Sequence, residues 1–142
     1  MEKLKIYFGC SLTYAPEDFK KQVENFKDKL RLESGVEVMD FLGLVAGTSE
    51  DVYKCDIQNN VNSCDIMIGD CTYPSIGLGW ELGTAVEKRK IPVLAIAHSD
   101  FKVTRLVLGA ECSLNPNYRF YFYHQIDEVL LIFREIVNKL KK

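Results

Sequence analysis

The chain has no apolar run approaching the ~20 residues that a membrane helix needs, no Cys-x-x-Cys pair, only two histidines and no surplus of basic residues. Each absence removes a class of function. Lys and Arg number 18 against 20 Asp and Glu, for a net charge of −2, so the basic face of a nucleic-acid backbone binder is missing. The expected partner is a small molecule, with neither polymeric nucleic acid nor membrane involved. No two His, Cys or carboxylate candidates recur at a familiar metal spacing, so no metal is expected. The five cysteines (Cys10, Cys55, Cys64, Cys71, Cys112) form an odd, irregular set that reads as reduced thiols of a cytosolic protein. Cys10 follows the first apolar run, but neither His98 nor His124 has a context that marks it as a base for a thiol nucleophile. The opening Met-Glu-Lys-Leu-Lys leads directly into apolar sequence without a signal-peptide core, and a cytoplasmic location is expected.

What the chain does have is concentrated in Asp70-Cys-Thr-Tyr-Pro-Ser-Ile-Gly-Leu-Gly-Trp-Glu-Leu-Gly-Thr-Ala85. An apolar run over 64–69 reads as a buried strand, and Pro74, Gly77 and Gly79 read as a loop that lets a ligand approach the backbone. Helical spacing then begins at Trp80, so the free N–H groups of a helix start should point into that loop and favour an anion. Ser75 adds a hydroxyl, and Glu81 in the expected first turn projects toward whatever the loop holds. A glutamate there also complements the helix dipole without any chemistry. Gly77-Leu-Gly-Trp-Glu-Leu82 fits the dinucleotide fingerprint poorly, because its sixth position is leucine and it lies mid-chain.

The rest of the chain alternates. Strands are predicted over 5–9, 36–41, 64–69, 91–97 and 119–123, and helices over 16–32, 50–62, 80–89 and 126–140. An irregular region through Ser49, holding Gly43 and Gly47, reads as a lid or variable loop. With 142 residues and 47% hydrophobic content, the chain suits one domain over 1–142. The expected architecture is α/β, a Rossmann-like (flavodoxin-like) three-layer sandwich with a mostly parallel sheet of about five strands. Ligands of such sheets bind beyond the carboxyl ends of the strands. Tyr7, Gly9, Ser11, Asp70, Ser75 and Glu81 gather there, and Asp56 precedes the third strand close enough to join them. Tyr7 reads equally as core, and Asp56 as a solvated helix residue.

Three segments, Lys5-Ile-Tyr-Phe-Gly-Cys-Ser11, Lys54-Cys-Asp-Ile57 and Pro74-Ser-Ile-Gly-Leu-Gly-Trp-Glu-Leu-Gly-Thr-Ala85, together resemble the nucleoside 2-deoxyribosyltransferase-like superfamily over roughly residues 4–98. The last is similar to its Gly-x-Gly-aromatic-Glu-Leu-Gly signature. The resemblance implies that Glu81 is the nucleophile at the anomeric carbon, that Tyr7 positions it, and that Asp56 handles the proton of the departing base. Pro74-Ser75 resembles the 2′-deoxynucleoside 5′-monophosphate N-hydrolases, in which this serine helps hold the phosphate; Gly9, Ser11, Gly77 and Gly79 would line the same site. The loop Ser11-Leu-Thr-Tyr-Ala-Pro-Glu-Asp18 lacks the arginine and paired glycines of those hydrolases. A residue of a neighbouring subunit commonly completes such sites, and the segment 114–120 offers Asn115 or Asn117, although an Asn beside Pro is also a turn former. Asn117 is carried forward as the binding candidate, and a homodimer or larger homo-oligomer is implied.

The expected activity is cleavage of the N-glycosidic bond of a (2′-deoxy)nucleoside 5′-monophosphate through a glycosyl-Glu81 intermediate, with no cofactor. Base exchange between deoxynucleosides and a non-catalytic nucleotide-binding module stand as the alternatives. A flavodoxin-like signalling domain fits less well, because no acidic run follows the first strand to hold a metal.

Overall fold

The computed structural model describes residues 2–39 and 47–142. Five strands, β1 (Leu4–Cys10), β2 (Val36–Val38), β3 (Ile66–Asp70), β4 (Val93–His98) and β5 (Tyr118–Tyr123), form one sheet in the order β2-β1-β3-β4-β5, and every pairing is parallel. The order reverses between β1 and β3, so the connections leaving their carboxyl ends diverge and open a crevice.

Alternation along the strands sends side chains to two cores. Ile6, Phe8, Ile66, Ile68, Leu94 and Ile96 face α1 (Glu17–Arg31) and α5 (Val129–Leu140), where Phe19, Val23, Phe26, Leu30, Val129 and Phe133 meet them. Tyr7, Met67 and Ala95 face the other way, toward Ile57, Val61, Leu78, Leu82 and Ala85. The strands therefore read as continuous apolar runs, because both faces are covered. On the second face, α2 (Ser49–Tyr53) runs on as wider π-helical turns (Lys54–Val61), and α3 (Ile76–Gly83) likewise continues as π turns (Thr84–Arg89).

Gly9 and Gly69 are register partners on this second face. A Cβ on Gly69 would stand 2.9 Å from Leu82 Cδ2, so its missing side chain lets α3 seat directly on the sheet. Leu82 is itself buried and has nowhere to retreat. Gly69→Ala is expected to cost about 1–3 kcal/mol through overpacking, read as a lower denaturant midpoint at an unchanged slope.

The structure departs from the sequence expectations at several points. Strand β4 starts at Val93 instead of residue 91, where Pro92 has no N–H for a ladder bond. Helix α4 (Arg105–Gly109) was not anticipated, since its five residues are too few to show a period. Helix α3 starts at Ile76 and not at Trp80. The lid expected after β2, Gly43 included, lies outside the described residues up to residue 46. Among the described residues no helix is long and apolar enough to cross a membrane.

Candidate active site

The early start of α3 rearranges the site. Ser75 is extended and caps the helix, its Oγ accepting from the N–H of Leu78 at 3.1 Å. Gly77 and Gly79 therefore belong to the opening turns of α3 and are not loop residues. Glycine costs a helix about 1 kcal/mol per residue but does not forbid it, and the Ser75 cap offsets part of that. Glu81 consequently falls in the second turn, where it faces the sheet instead of complementing the dipole. It is 6% exposed.

A buried carboxylate needs a partner, and Tyr7 supplies one. Tyr7 is fully buried on β1, and its hydroxyl donates to Glu81 Oε2 in a short hydrogen bond. Gly9, two residues along the same face, makes room, since a Cβ there would lie 3.1 Å from Glu81 Oε1. Burial pushes the Glu81 carboxyl up to about 7; the Tyr7 hydroxyl pulls it down and the nearby Asp56 charge pushes it up. Burial together with the charge of Glu81 holds the Tyr7 phenol far above its ordinary range, so it remains a donor.

Asp56 enters from the π-helical turns after α2, which are common where a helix serves a functional site. There Cys55, Ile57 and Val61 are buried, while Asp56 is half-buried and its carboxyl is raised by desolvation. Asp56, Glu81, Ser75 and Gly77 line one cavity of about 300 Å³, with Cys10, Leu12, Thr13, Ser49, Val52, Tyr53, Ile57, Ile76, Leu78 and Trp80. The thiol of Cys10 is pushed up to about 12, first by burial and then by Asp70, so it is not a thiolate nucleophile.

Other expected residues lie outside this wall. Ser11 is buried just past β1, and its Oγ has no hydrogen-bond partner among the described residues. Gly79 lines a neighbouring hollow with Lys102 and Thr104. Asp70 faces the α1/α5 side, where it accepts from the N–H and hydroxyl of Thr72 (3.0 and 2.6 Å) and from the Tyr123 hydroxyl at 2.7 Å. It anchors the turn leading to Ser75 and does not reach Glu81's face. Asn117 precedes β5, at the amino end of the sheet, where its carbonyl accepts from Val93 N–H and its side chain donates to the Lys90 carbonyl. The chain does not bring it to its own cavity. Sequence reasoning missed Tyr53 and Trp80 as cavity residues; their places one turn before Asp56 and directly before Glu81 were the available signal.

Two carboxyl groups on one small cavity, one of them buried against a tyrosine, are groups able to serve as nucleophile and as acid. The chain's fold is one that known proteins share. Among solved structures it is similar to a CMP N-glycosidase, BcmB, from Clostridium botulinum, with a TM-score of 0.68 and 20% identity over 92% of this chain and 98% of that one. It is also similar to a 2-desoxiribosyltransferase from Leishmania mexicana, with a TM-score of 0.56 and 20% identity over 68% and 65% of the two chains. Two curated relatives carry the name "Putative 2'-deoxynucleoside 5'-phosphate N-hydrolase 1". The one from Methanosarcina mazei is 37% identical over 62 residues, 44% of this chain and 37% of the relative. The one from Methanosarcina barkeri is 39% identical over 62 residues, 44% and 38% of the two chains. The similarity thus spans less than two fifths of the relatives' length. No family model matches.

Proposed function

We propose that the protein cleaves the N-glycosidic bond of a (2′-deoxy)nucleoside 5′-monophosphate, with Glu81 as nucleophile. The observation that carries this reading is Glu81 itself, buried, hydrogen-bonded to Tyr7 and open to a cavity that it shares with Asp56. A Glu81 oxygen attacks C1′ as the C1′–N bond breaks, and the bonding pair leaves on the base nitrogen, which takes the proton of Asp56. Water then attacks C1′, its proton returning to Asp56 and the ester bond to Glu81 breaking. Tyr7 holds the carboxylate on its attack line and remains protonated.

Support for a phosphorylated substrate comes from the names of the curated relatives and from the start of α3. The Ile76 and Gly77 amides precede the intrahelical ladder, and the Ser75 hydroxyl keeps its own proton to donate while accepting from Leu78. A second reading, base exchange between nucleosides, is favoured by one observation. No Lys, Arg or His lines the cavity among the described residues, and residues 40–46 contain none in sequence. Incubation with dCMP, dAMP and the matching deoxynucleosides, with and without free adenine, separates the two. Free base from a monophosphate alone supports hydrolysis, whereas turnover of nucleosides only when adenine is present supports exchange.

Glu81 must be ionised to attack, so base release is expected to climb with pH through about 7. The Tyr7 hydrogen bond favours the ionised form, and its loss raises the carboxyl further. In Tyr7→Phe the ascending limb of the pH–rate profile should therefore move to higher pH. A limb that stays in place removes Tyr7 from the assignment.

A further inference from the structure

We infer that Tyr53 and Trp80 form the seat of the leaving base, so that they determine which heteroaromatic ring the site accepts. Their rings meet edge to face, with centroids 6.5 Å apart and planes at 89°, and both line the cavity of Asp56 and Glu81. Tyr53 is 47% exposed and Trp80 63% exposed, so among the described residues no side chain covers the large aromatic surface at this corner. Such surface is costly in water and stacks well on a flat π system.

Position narrows the occupant. The inference rests on the proposed reaction, in which C1′ lies at Glu81 and the departing nitrogen at Asp56. Tyr53 stands one helical turn before Asp56, and Trp80 directly precedes Glu81, so the aromatic corner joins the two elements that carry the carboxylates. A ring bonded to C1′ and offering its nitrogen to Asp56 has this corner beside it, with Val52 and Ile57 completing an apolar wall. Among the described residues the corner presents aromatic faces and no cationic side chain, which suits a neutral planar base better than the sugar or an anion.

Trp80 is the only tryptophan of the chain, so its fluorescence reports on this corner alone. Wild-type protein is titrated with adenine, cytosine and, as a probe without a base, 2-deoxyribose 5-phosphate. Saturable quenching by a free base and none by the sugar phosphate is expected. Tyr53→Ala should weaken that base affinity about tenfold, the loss typical of one stacking partner, and raise KM more than it lowers kcat. The inference is overturned if the Trp80 signal is indifferent to both bases, if Tyr53→Ala leaves affinity and KM unchanged, or if the emission tracks protein concentration, which would mean that a second copy covers the corner. Base release assayed on the same samples keeps the two claims apart. Release through Glu81 without quenching sinks only the base seat, and quenching without release sinks only the reaction.

Discussion

Glu81→Gln is expected to abolish base release while leaving the protein folded and more stable above neutral pH. Glutamine keeps the size and an acceptor for the Tyr7 hydroxyl, so the cavity wall survives, but its amide oxygen does not form a glycosyl ester. A loss of roughly 10³-fold or more in kcat is expected, as for other enzymes deprived of their nucleophile. The stability gain follows from linkage. Folding raises the carboxyl from 4.5 to about 7, chiefly by burial, so the folded state binds the proton more tightly than the unfolded one. Glu81 thus costs nothing below pH 4.5, and its penalty grows as pH rises to about 7 and then levels, at about 3 kcal/mol. Wild type and Glu81→Gln should therefore unfold alike at pH 4, with the variant several degrees more stable at pH 8. An equal Tm at both pH values would mean that the carboxylate is not held in a desolvating site.

The second large effect is at Asp56. With Asp56→Asn the departing base receives no proton, and kcat should fall about 10²–10⁴-fold, the usual worth of a general acid. The defect should depend on the leaving group. A glycoside whose heterocycle leaves readily as an anion needs no proton, so the variant's first-turnover release of that heterocycle should approach the wild-type rate while release from dCMP or deoxycytidine stays slow; hydrolysis of the ester, in which Asp56 takes the water's proton, stays slow with either. An equal loss on both substrates would instead mean that Asp56 holds the substrate and does not protonate it. Glu81→Gln, by contrast, fails on every leaving group, which separates the roles of the two carboxylates.

The fold was largely legible because its signals are long-period and redundant. The strands of β1, β3 and β4 read as continuous apolar runs only because helices cover both faces, and this property alone points to a parallel sheet. Boundaries decided by single interactions were not legible. Glycines 77 and 79 suggested a loop, but the Ser75 cap closes the helix before them, and so Glu81 sits a turn deeper than expected. The depth matters chemically, because it is the inward face of the second turn that meets Tyr7 across the space left by Gly9. Asp70 looked equivalent to the site residues, yet strand alternation sends it to the opposite face, where Thr72 and Tyr123 occupy it. Asn117 belongs to the far end of the sheet in its own chain, a relation that no local pattern encodes. Tyr53 and Trp80 escaped notice because each also fits an ordinary helix surface.

The most direct test is to trap the intermediate. Fluorine at C2′ slows formation and breakdown of a glycosyl ester by opposing positive charge at C1′, so a 2′-deoxy-2′-fluoroarabinosyl substrate should leave the sugar on the protein. The account predicts an intact-mass increase equal to the glycosyl group, mapped to the peptide bearing Glu81 and absent from Glu81→Gln. Base release by wild type with the label on another residue, or release that persists in Glu81→Gln, would contradict it.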